Sequence, residues 1–340
     1  MSGFLPGLLD AALDASVVLS FDRNGFRRHA RRFDPRDLEV DLSGKTALVT
    51  GANSGIGKAT AAALARLGAR VVMLCRDKAR GRAAREELER ETGRKAFDVV
   101  RLDVSDLAAV RRAGEALAGG PVDVLVHNAG VLPDRRQTTA DGLELTLATN
   151  LVGPFLLTGL LLPALARAKG RVVQVSSGGM YTQRLDVGAL FSGGPDPFDG
   201  VVPYARTKRA QVVLNGLLAE RLGGSGVTFS AMHPGWADTP AVRTSLPRFH
   251  ALTKGILRTP EEGADTVVWL AASRAAEGRS GLFWFDREAV ATTPLPGTRE
   301  TAEERERLWG ALVAATGLDP SVPTAARGSA PGRKRRTRGS

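Results

Sequence analysis

Short apolar runs alternate with longer alanine-rich, amphipathic stretches through most of this chain. The apolar runs contain few polar residues, which is typical of parallel strands that helices cover on both faces. The pattern predicts seven strands, at Thr46–Val49, Arg70–Leu74, Ala96–Leu102, Val122–Val126, Arg171–Val175, Val227–Ala231 and Gly281–Phe285. It predicts helices at Ile56–Leu67, Lys78–Glu91, Leu107–Leu117, Leu143–Ala168, Tyr204–Leu222, Pro260–Ala272 and Ala302–Ala315.

Strands that alternate with helices imply right-handed crossovers and a doubly wound sheet. We therefore predict an α/β fold: a single Rossmann-type domain with a seven-stranded, mostly parallel sheet and helices on both faces. Its predicted limits are residues 43–318. A helical extension, residues 1–42, precedes it, and a basic disordered tail, residues 319–340, follows it. The 340 residues, 43% of them hydrophobic, suit one globular domain of this kind.

Charge is concentrated at the two ends of the chain. Six of the net +11 charges lie in the Gly-, Ser- and Pro-rich tail, which predicts a solvated segment without a specific nucleic-acid target. Near the start, an apolar stretch from Leu5 to Phe21 precedes basic residues 27–32. This extension is predicted to pack on the main domain or on a partner subunit. Peripheral contact with a membrane surface remains the alternative.

Cys75 is the only cysteine, so no intrachain disulfide can form, which suits a reducing compartment. The start of the chain lacks the basic segment of a signal peptide. We therefore expect a cytoplasmic protein, with membrane association as the alternative. No His, Cys, Asp or Glu cluster has the spacing of metal ligands, so no metal site is predicted.

The glycine run that follows the first predicted strand indicates a phosphate-binding turn. Gly51 would allow a tight turn, Gly55 would let the backbone approach a pyrophosphate, and Gly57 would let the next helix pack closely. The helix N-terminus would offer free N–H groups to the phosphate oxygens. The G-x-x-x-G-x-G spacing differs from the commoner dinucleotide fingerprint, and a turn without a ligand is the competing interpretation. The other loop residues assigned to cofactor binding are Asn53, Ser54 and Ile56.

Candidate acid–base chemistry lies at the same edge of the predicted sheet. Tyr204 and Lys208 are four residues apart, so they share one helix face, and an ammonium near a phenol favours the phenolate. Ser177 follows the fifth strand and could hydrogen-bond a substrate oxygen. Asn150 lies within a predicted helix, where an ordinary buried amide is the alternative interpretation. The fourth strand ends in Asn128-Ala129-Gly130.

Together these motifs resemble the short-chain dehydrogenase/reductase family, in family order across about residues 43–290. Stretches around Ser177, Tyr204 and Pro234 look like its member-12 subgroup, near the retinol-dehydrogenase-like members. The resemblance implies that Tyr204 exchanges a proton with the substrate and that Ser177 holds the substrate oxygen. It implies that Lys208 binds the nicotinamide ribose and that Asn150 positions a water. The implied cofactor contacts elsewhere are Asp103, Val104, Asn128, Ala129, Gly130, Pro234, Gly235 and Thr239.

The end of the second strand favours NADP(H) over NAD(H). NAD sites usually place an acid there, but Cys75 stands in that position. Arg76 follows and can pair with a 2′-phosphate, and Lys58 adds positive charge. Asp77 is a complication unless it points outward. The resulting prediction is an NADP(H)-dependent carbonyl reductase or alcohol dehydrogenase that acts on a small molecule.

Two departures from the family pattern affect the substrate side. His127 stands where the family often has Asn, and a structural role is favoured for it. Ser177 and Tyr204 are farther apart than in the compact family motif, and residues 181–202 between them are predicted to be a loop over the cleft. That spacing leaves Ser176 as a rival to Ser177. The residues suggested for a lipophilic pocket are Leu132, Phe155, Met180, Phe191 and Trp236.

Two other functions stay open. One is a cofactor-binding regulatory protein with incidental activity, and the other is a protein attached to a membrane or nucleic acid through its basic ends. A homo-oligomer is compatible with the sequence. Trp236 and Trp284 are interpreted as packing residues, and His233 as a residue that orders its loop rather than binding a metal.

Overall fold

A single mixed sheet runs through the middle of the protein in a computed structural model that describes residues 20–194, 196–293 and 297–319. The strands lie in the order β3-β2-β1-β4-β5-β6-β7-β8. Their bounds are β1 Thr46–Thr50, β2 Arg70–Cys75, β3 Phe97–Arg101, β4 Val124–His127, β5 Arg171–Val175, β6 Thr228–Met232, β7 Phe283–Phe285 and β8 Glu288–Ala289. The first seven pair in parallel, and β8 is antiparallel to β7. The predicted doubly wound α/β class is confirmed.

Eleven helices flank this sheet in the described part of the chain. They are α1 Arg23–Ala30, α2 Gly55–Arg66, α3 Lys78–Thr92, α4 Leu107–Ala118, α5 Leu145–Ala168, α6 Val187–Phe191, α7 Val201–Leu222, α8 Pro240–Ser245, α9 Pro247–Thr253, α10 Pro260–Ala272 and α11 Ala302–Thr316. Helix α5 contains a π-helical turn, Ala148–Val152, after its first three residues. The first nineteen residues and the basic tail beyond Asp319 lie outside the described residues, and so does the predicted disorder of that tail.

Two predictions about the elements are wrong in detail. The sheet has eight strands rather than seven, because a two-residue strand too short to produce an apolar pattern follows a turn at Asp286 and Arg287, both with positive φ. Residues 181–202 are not simply a loop. They include the end of a 3₁₀ turn, Gly178–Thr182, and helix α6, and α7 begins at Val201 rather than Tyr204.

The hydrophobic core has one layer on each face of the sheet. Helices α4, α5 and α7 cover one face, where Leu125, Val172 and Phe229 point inward. Helices α2 and α10 cover the other, where Val49, Val126 and Val173 point inward. Because helices cover both faces of the sheet, only the ends of the strands stay uncovered. In doubly wound sheets, ligands bind at the carboxyl ends of the strands.

Helix α5 is the one helix, among the residues the structure describes, that is long and apolar enough to cross a membrane. Its most apolar window is 83% buried inside the fold, and it packs against α4. These contacts are those of a core helix.

Candidate active site

The glycine run forms a tight turn between β1 and α2. Gly51 has φ +66° and Gly55 has φ +54°, a region that side chains disfavour. A Cβ built on Gly57 would lie 2.4 Å from Asn128 Nδ2 and 2.5 Å from the Gly51 carbonyl oxygen, so only glycine fits. Ser54 forms no side-chain cap hydrogen bond, so its hydroxyl does not occupy the first N–H groups of α2.

The loop after β4 braces this turn. Asn128 Nδ2 donates to the Thr50 carbonyl at 2.9 Å, and the Asn128 backbone N–H donates to Thr50 Oγ1 at 3.0 Å. The Ala129 N–H donates to the same hydroxyl at 3.0 Å. Asn128 and Ala129 therefore fix the glycine loop through Thr50, a residue that the sequence motifs do not assign to the site.

Tyr204, Ser177 and Lys208 come together beyond the carboxyl end of β5. The Ser177 side chain lies close enough to the Tyr204 phenol to lower the pKa of that phenol in part. Lys208 Nζ lies 5.4 Å from the centroid of the Tyr204 ring and donates to the Val175 carbonyl at 2.9 Å. Lys208 is only 3% exposed, and this burial lowers its pKa to about 7. The amine is therefore poised to gain or lose a proton near neutral pH.

The expected fall in the phenol pKa is not what the structure gives. Burial raises the pKa of Tyr204, and this outweighs the opposing effect of the Ser177 side chain. Lys208 directs its amine to a backbone carbonyl, and the largest effect on the phenol is loss of solvation. Tyr204 is therefore held in its protonated form.

The two neighbouring serines have different partners. Ser176 is buried, and its hydroxyl donates to the Lys208 carbonyl at 2.9 Å, which ties β5 to α7. Ser177 Oγ faces Tyr204 and accepts from the Gly179 N–H at 3.2 Å. The geometry thus gives Ser176 a structural contact and leaves Ser177 as the serine beside the phenol.

Asn150 lies in the π turn of α5, completely buried. Its Oδ1 accepts from the Val131 N–H at 3.0 Å, and its Nδ2 donates to Thr207 Oγ1 at 3.1 Å. Pro154 has no N–H to donate to the Asn150 carbonyl, and Gln211 Nε2 donates to it at 2.6 Å instead. Thr207 and Gln211 are therefore site-supporting residues that the motifs missed; their helical spacing from Tyr204 was the available signal.

Gly130 brings the loop after β4 close to these groups. A Cβ built on Gly130 would lie 3.3 Å from Asn150 Oδ1 and 3.5 Å from Lys208 Nζ. The glycine, the amide and the amine therefore converge on one small volume next to the glycine loop.

The loop after β6 completes the same edge. Gly235 has φ +68°, and Thr239 caps α8 by accepting from the Val242 N–H at 3.3 Å. The Thr239 side chain also lies against Gly55, since a Cβ there would be 3.2 Å from Thr239 Cγ2. The Pro234–Thr239 loop and the glycine loop are thus in direct contact.

Three charged residues near Cys75 differ in what they contact. Asp77 turns its carboxylate back to cap α3, accepting from the N–H groups of Ala79 and Arg80. Lys58 pairs with Glu87. Arg76 is exposed and has no acidic partner in the chain as far as the structure describes it. The carboxylate of Asp77 and the amine of Lys58 thus have partners within the protein, whereas the guanidinium of Arg76 faces solvent.

Asp103 and Val104 follow β3 at this end of the sheet. Asp103 Oδ1 accepts from both the backbone N–H and the hydroxyl of Ser105, and Val104 is buried. Cys75 and Arg101 are paired in the β2–β3 ladder, so the residues after both strands lie side by side.

Several singled-out residues lie in the core. His127 Nε2 donates to Thr158 Oγ1, because that hydroxyl donates onward to Pro154, and burial lowers the pKa of His127 to about 3. Phe155, suggested as pocket lining, packs edge-on against Trp309, and Met180 is fully buried. Two more of the singled-out residues are also buried: His233 stacks on Phe285, and Trp284 packs on Trp269. Within the described ranges, no three His, Cys, Asp or Glu side chains are grouped to hold a metal ion.

Comparison with known proteins places these features in a wider group. Residues 45–248 match the short chain dehydrogenase family. The chain is 42% identical to human dehydrogenase/reductase SDR family member 12, over 86% of this chain and 93% of that one. It is 38% identical to bovine retinol dehydrogenase 12, over 80% and 86% of the two chains.

Solved structures share the fold. A protein of Mycobacterium paratuberculosis, 28% identical, superposes with a TM-score of 0.67 over 82% of this chain and 96% of its own. A 3-oxoacyl-(acyl-carrier-protein) reductase from Agrobacterium tumefaciens, with NADP bound, is 29% identical (TM-score 0.58; 72% and 93% covered). A 3-ketoacyl-(acyl-carrier-protein) reductase from Brucella melitensis, complexed with NADH, is 28% identical (TM-score 0.57; 72% and 96% covered). One of these two reductase structures therefore contains NADP and the other contains NADH.

Proposed function

This chain belongs to the short-chain dehydrogenase/reductase family, an oxidoreductase family, and from that premise we propose that it interconverts a carbonyl and an alcohol on a lipophilic small molecule. NADP(H) is the proposed cofactor and Tyr204 the proposed acid/base. The observation that carries the proposal is the contact of Tyr204 with Ser177, beside a buried Lys208, at the edge that holds the glycine loop.

The chain's own residues fit a nicotinamide dinucleotide. The glycine loop offers backbone N–H groups to a pyrophosphate, and Gly130 leaves space beside Lys208 that any side chain would fill. When bound, the cofactor supplies or accepts the hydride. The protein would position the substrate, with the substrate oxygen next to the side chains of Ser177 and Tyr204, and would supply the electrostatic environment of that oxygen.

Tyr204 is suited to donate a proton to a substrate oxygen. Its raised pKa keeps the phenol protonated at neutral pH, and Ser177 can hydrogen-bond the same oxygen. Lys208, with a pKa near 7, can then deliver a positive charge or a proton close to the ring. In the oxidative direction the same phenol must first lose its proton, so alkaline pH should favour that direction.

The phenol can be tested with one substitution. Tyr204→Phe should abolish carbonyl-dependent oxidation of NADPH while leaving NADPH affinity nearly intact, because only the hydroxyl is removed. Turnover is followed by NADPH absorbance over a panel of aldehydes and ketones, and affinity by NADPH fluorescence. Unchanged turnover in Tyr204→Phe would refute the assignment.

NADP(H) preference is proposed to depend on Arg76. A charge-assisted hydrogen bond contributes about 1.5–3 kcal/mol, so Arg76→Ser should weaken NADPH binding by roughly 10- to 100-fold and leave NADH binding unchanged. Arg82→Ser removes an exposed arginine one turn into α3 and serves as the control. Equal effects on NADPH and NADH would contradict the role of Arg76.

A lipophilic substrate is proposed from Leu132 and Trp236, two half-buried apolar side chains in the loops after β4 and β6. Phe191, also suggested as pocket lining, packs against the hydrophobic core instead. The segment between Ser177 and Tyr204 is held near the loop after β4, because Arg136 donates to the carbonyls of Gly193 and Gly194. This contact supports the idea that the segment covers the cleft. A substrate panel should include retinoid, steroid and fatty aldehydes; preference for short polar carbonyls would contradict the idea.

A further inference from the structure

The segment that precedes the Rossmann domain is fastened to a buried arginine. Arg258 is completely buried, and its guanidinium donates to three consecutive carbonyls, those of Ser20, Phe21 and Asp22, at 2.9, 2.9 and 3.1 Å. The same group forms two hydrogen bonds with Asp286, at 2.5 and 2.9 Å. Planar guanidinium groups have enough donors to satisfy both sets of acceptors at once.

The far end of α1 is held by the same carboxylate. His29 Nδ1 lies 2.6 Å from Asp286 Oδ2, and both side chains are buried. Burial alone would raise the pKa of Asp286, but the hydrogen bond from His29 and the charge of Arg258 outweigh it and lower that pKa. The carboxylate therefore remains ionised and joins both ends of the segment to the domain.

The ring of Phe21 lies directly behind the serine of the site. A Cβ built on Gly178, the residue after Ser177, would lie 2.4 Å from Phe21 Cε2. The same ring packs against His233 and Trp236, with centroids 4.5 and 6.3 Å away. Phe21 thus touches the loop after β5 and the loop after β6.

The backbone of Phe21 makes a second link to the loop after β6. Its carbonyl accepts from the Trp236 N–H at 2.8 Å. A Cβ on Gly235 would lie 2.6 Å from this carbonyl oxygen and 2.4 Å from Arg258 Nε. Both glycines, 178 and 235, therefore leave the space that residues 20–22 occupy.

We propose that Phe21 and Arg258 are positioning residues of the active site. Arg258 fixes residues 20–22, and Phe21 then sets the separation between the Ser177 loop and the Pro234–Thr239 loop. The inference rests on the proposed function for what these loops do, since one loop bears the serine beside Tyr204 and the other contacts the glycine loop. These contacts make the geometry of the active site depend on the segment that precedes the Rossmann domain.

The first test compares two phenylalanines of the extension. Phe21→Leu keeps the site apolar but removes the ring edge. Phe33→Leu is the matched control, because Phe33 packs against Phe26 and Arg287 instead. Misplacement of a reacting group by about 1 Å can cost 100-fold, so Phe21→Leu should lower kcat by roughly 10- to 100-fold. Affinity for 2′,5′-ADP, which lacks the nicotinamide, should stay unchanged, and Phe33→Leu should retain wild-type kcat.

The second measurement does not depend on turnover. Phe21→Leu should speed hydrogen exchange at Gly179 and Trp236, whose amides are hydrogen-bonded in the two loops, while Phe33→Leu should not. Wild-type exchange in Phe21→Leu, or a kcat equal to that of Phe33→Leu, would overturn the inference. If the wild-type protein oxidises no NADPH with any carbonyl, the proposed function fails, yet the exchange comparison still decides whether Phe21 holds the loops.

A double variant tests the contact between Phe21 and Gly178 directly. Gly178→Ala inserts a methyl group where the Phe21 ring lies and should lower kcat. Phe21→Leu shortens the opposing side chain, so the double variant should recover part of the loss of Gly178→Ala. Independent, multiplicative losses would show that the two residues do not act through contact.

Discussion

Lys208 should make the stability of this protein depend on pH in a way that one substitution can isolate. Its pKa falls from 10.5 to about 7 because the amine is buried. Below about pH 7 the amine is protonated in both the folded and unfolded chains, and above about 10.5 it is neutral in both. Between these values only the unfolded chain holds the proton, so raising the pH stabilises the folded state.

The size of this effect follows from the same two pKa values. The difference between the two pKa values corresponds to about 5 kcal/mol in the free energy of unfolding. About 2 kcal/mol of this stability is gained as the pH rises from 7 to 9. Lys208→Met keeps the length of the side chain and removes the titrating group, so that variant should lack this part of the pH dependence. It also leaves the Val175 carbonyl without its donor, a penalty that is the same at every pH.

Chemical denaturation at pH 7, 8 and 9 measures the free energy of unfolding of each variant. The difference between wild type and Lys208→Met should grow by about 2 kcal/mol across this range, in favour of wild type at high pH. Lys254→Met removes an exposed lysine and should show the wild-type slope. Parallel curves for wild type and Lys208→Met would refute the claim that burial depresses this pKa.

Other consequences can be measured in the same protein. Gly57→Ala should lower Tm and abolish NADPH binding, because its Cβ would meet Asn128 and backbone at 2.4–2.5 Å, whereas Gly119→Ala, with nothing within 4 Å, should change neither. Ser177→Ala should lower kcat by roughly 100-fold, while Ser176→Ala should cost about 1 kcal/mol of stability with a smaller effect on kcat; equal kcat losses would contradict the division of roles. The raised pKa of Tyr204 predicts that alcohol oxidation accelerates steadily from pH 7 to 10 while carbonyl reduction does not; a flat oxidation profile would argue against the phenol as base.

The sequence predicted the sheet well because its strands are buried on both faces. Strands such as β4 and β5 appear as unbroken apolar runs between helices, and the glycine spacing after β1 marks the turn. Strand β8 was missed because it has only two residues, both exposed, and a tight turn is what brings them back to pair with β7. Local pattern carries no information about such pairing.

The sequence motifs name residues that the structure brings together, but they do not show the contacts that support these residues. Tyr204 and Lys208 show their relation in sequence spacing, whereas the bond from Gln211 to the Asn150 carbonyl joins residues that only the fold brings together. The π turn around Asn150 has no composition that distinguishes it from an α-helix. The phenol pKa was predicted in the wrong direction because burial, which spacing does not reveal, is the largest effect on it.

Cys75 gives the protein a built-in chemical reporter. It is the only thiol in the chain, it is fully buried between β2 and α3, and burial raises its pKa to about 11. Alkylating reagents attack the thiolate, so labelling must wait until this part of the sheet opens. The rate of Cys75 labelling therefore measures opening around the end of β2, next to the proposed 2′-phosphate contact Arg76, and a dinucleotide bound there should slow the labelling.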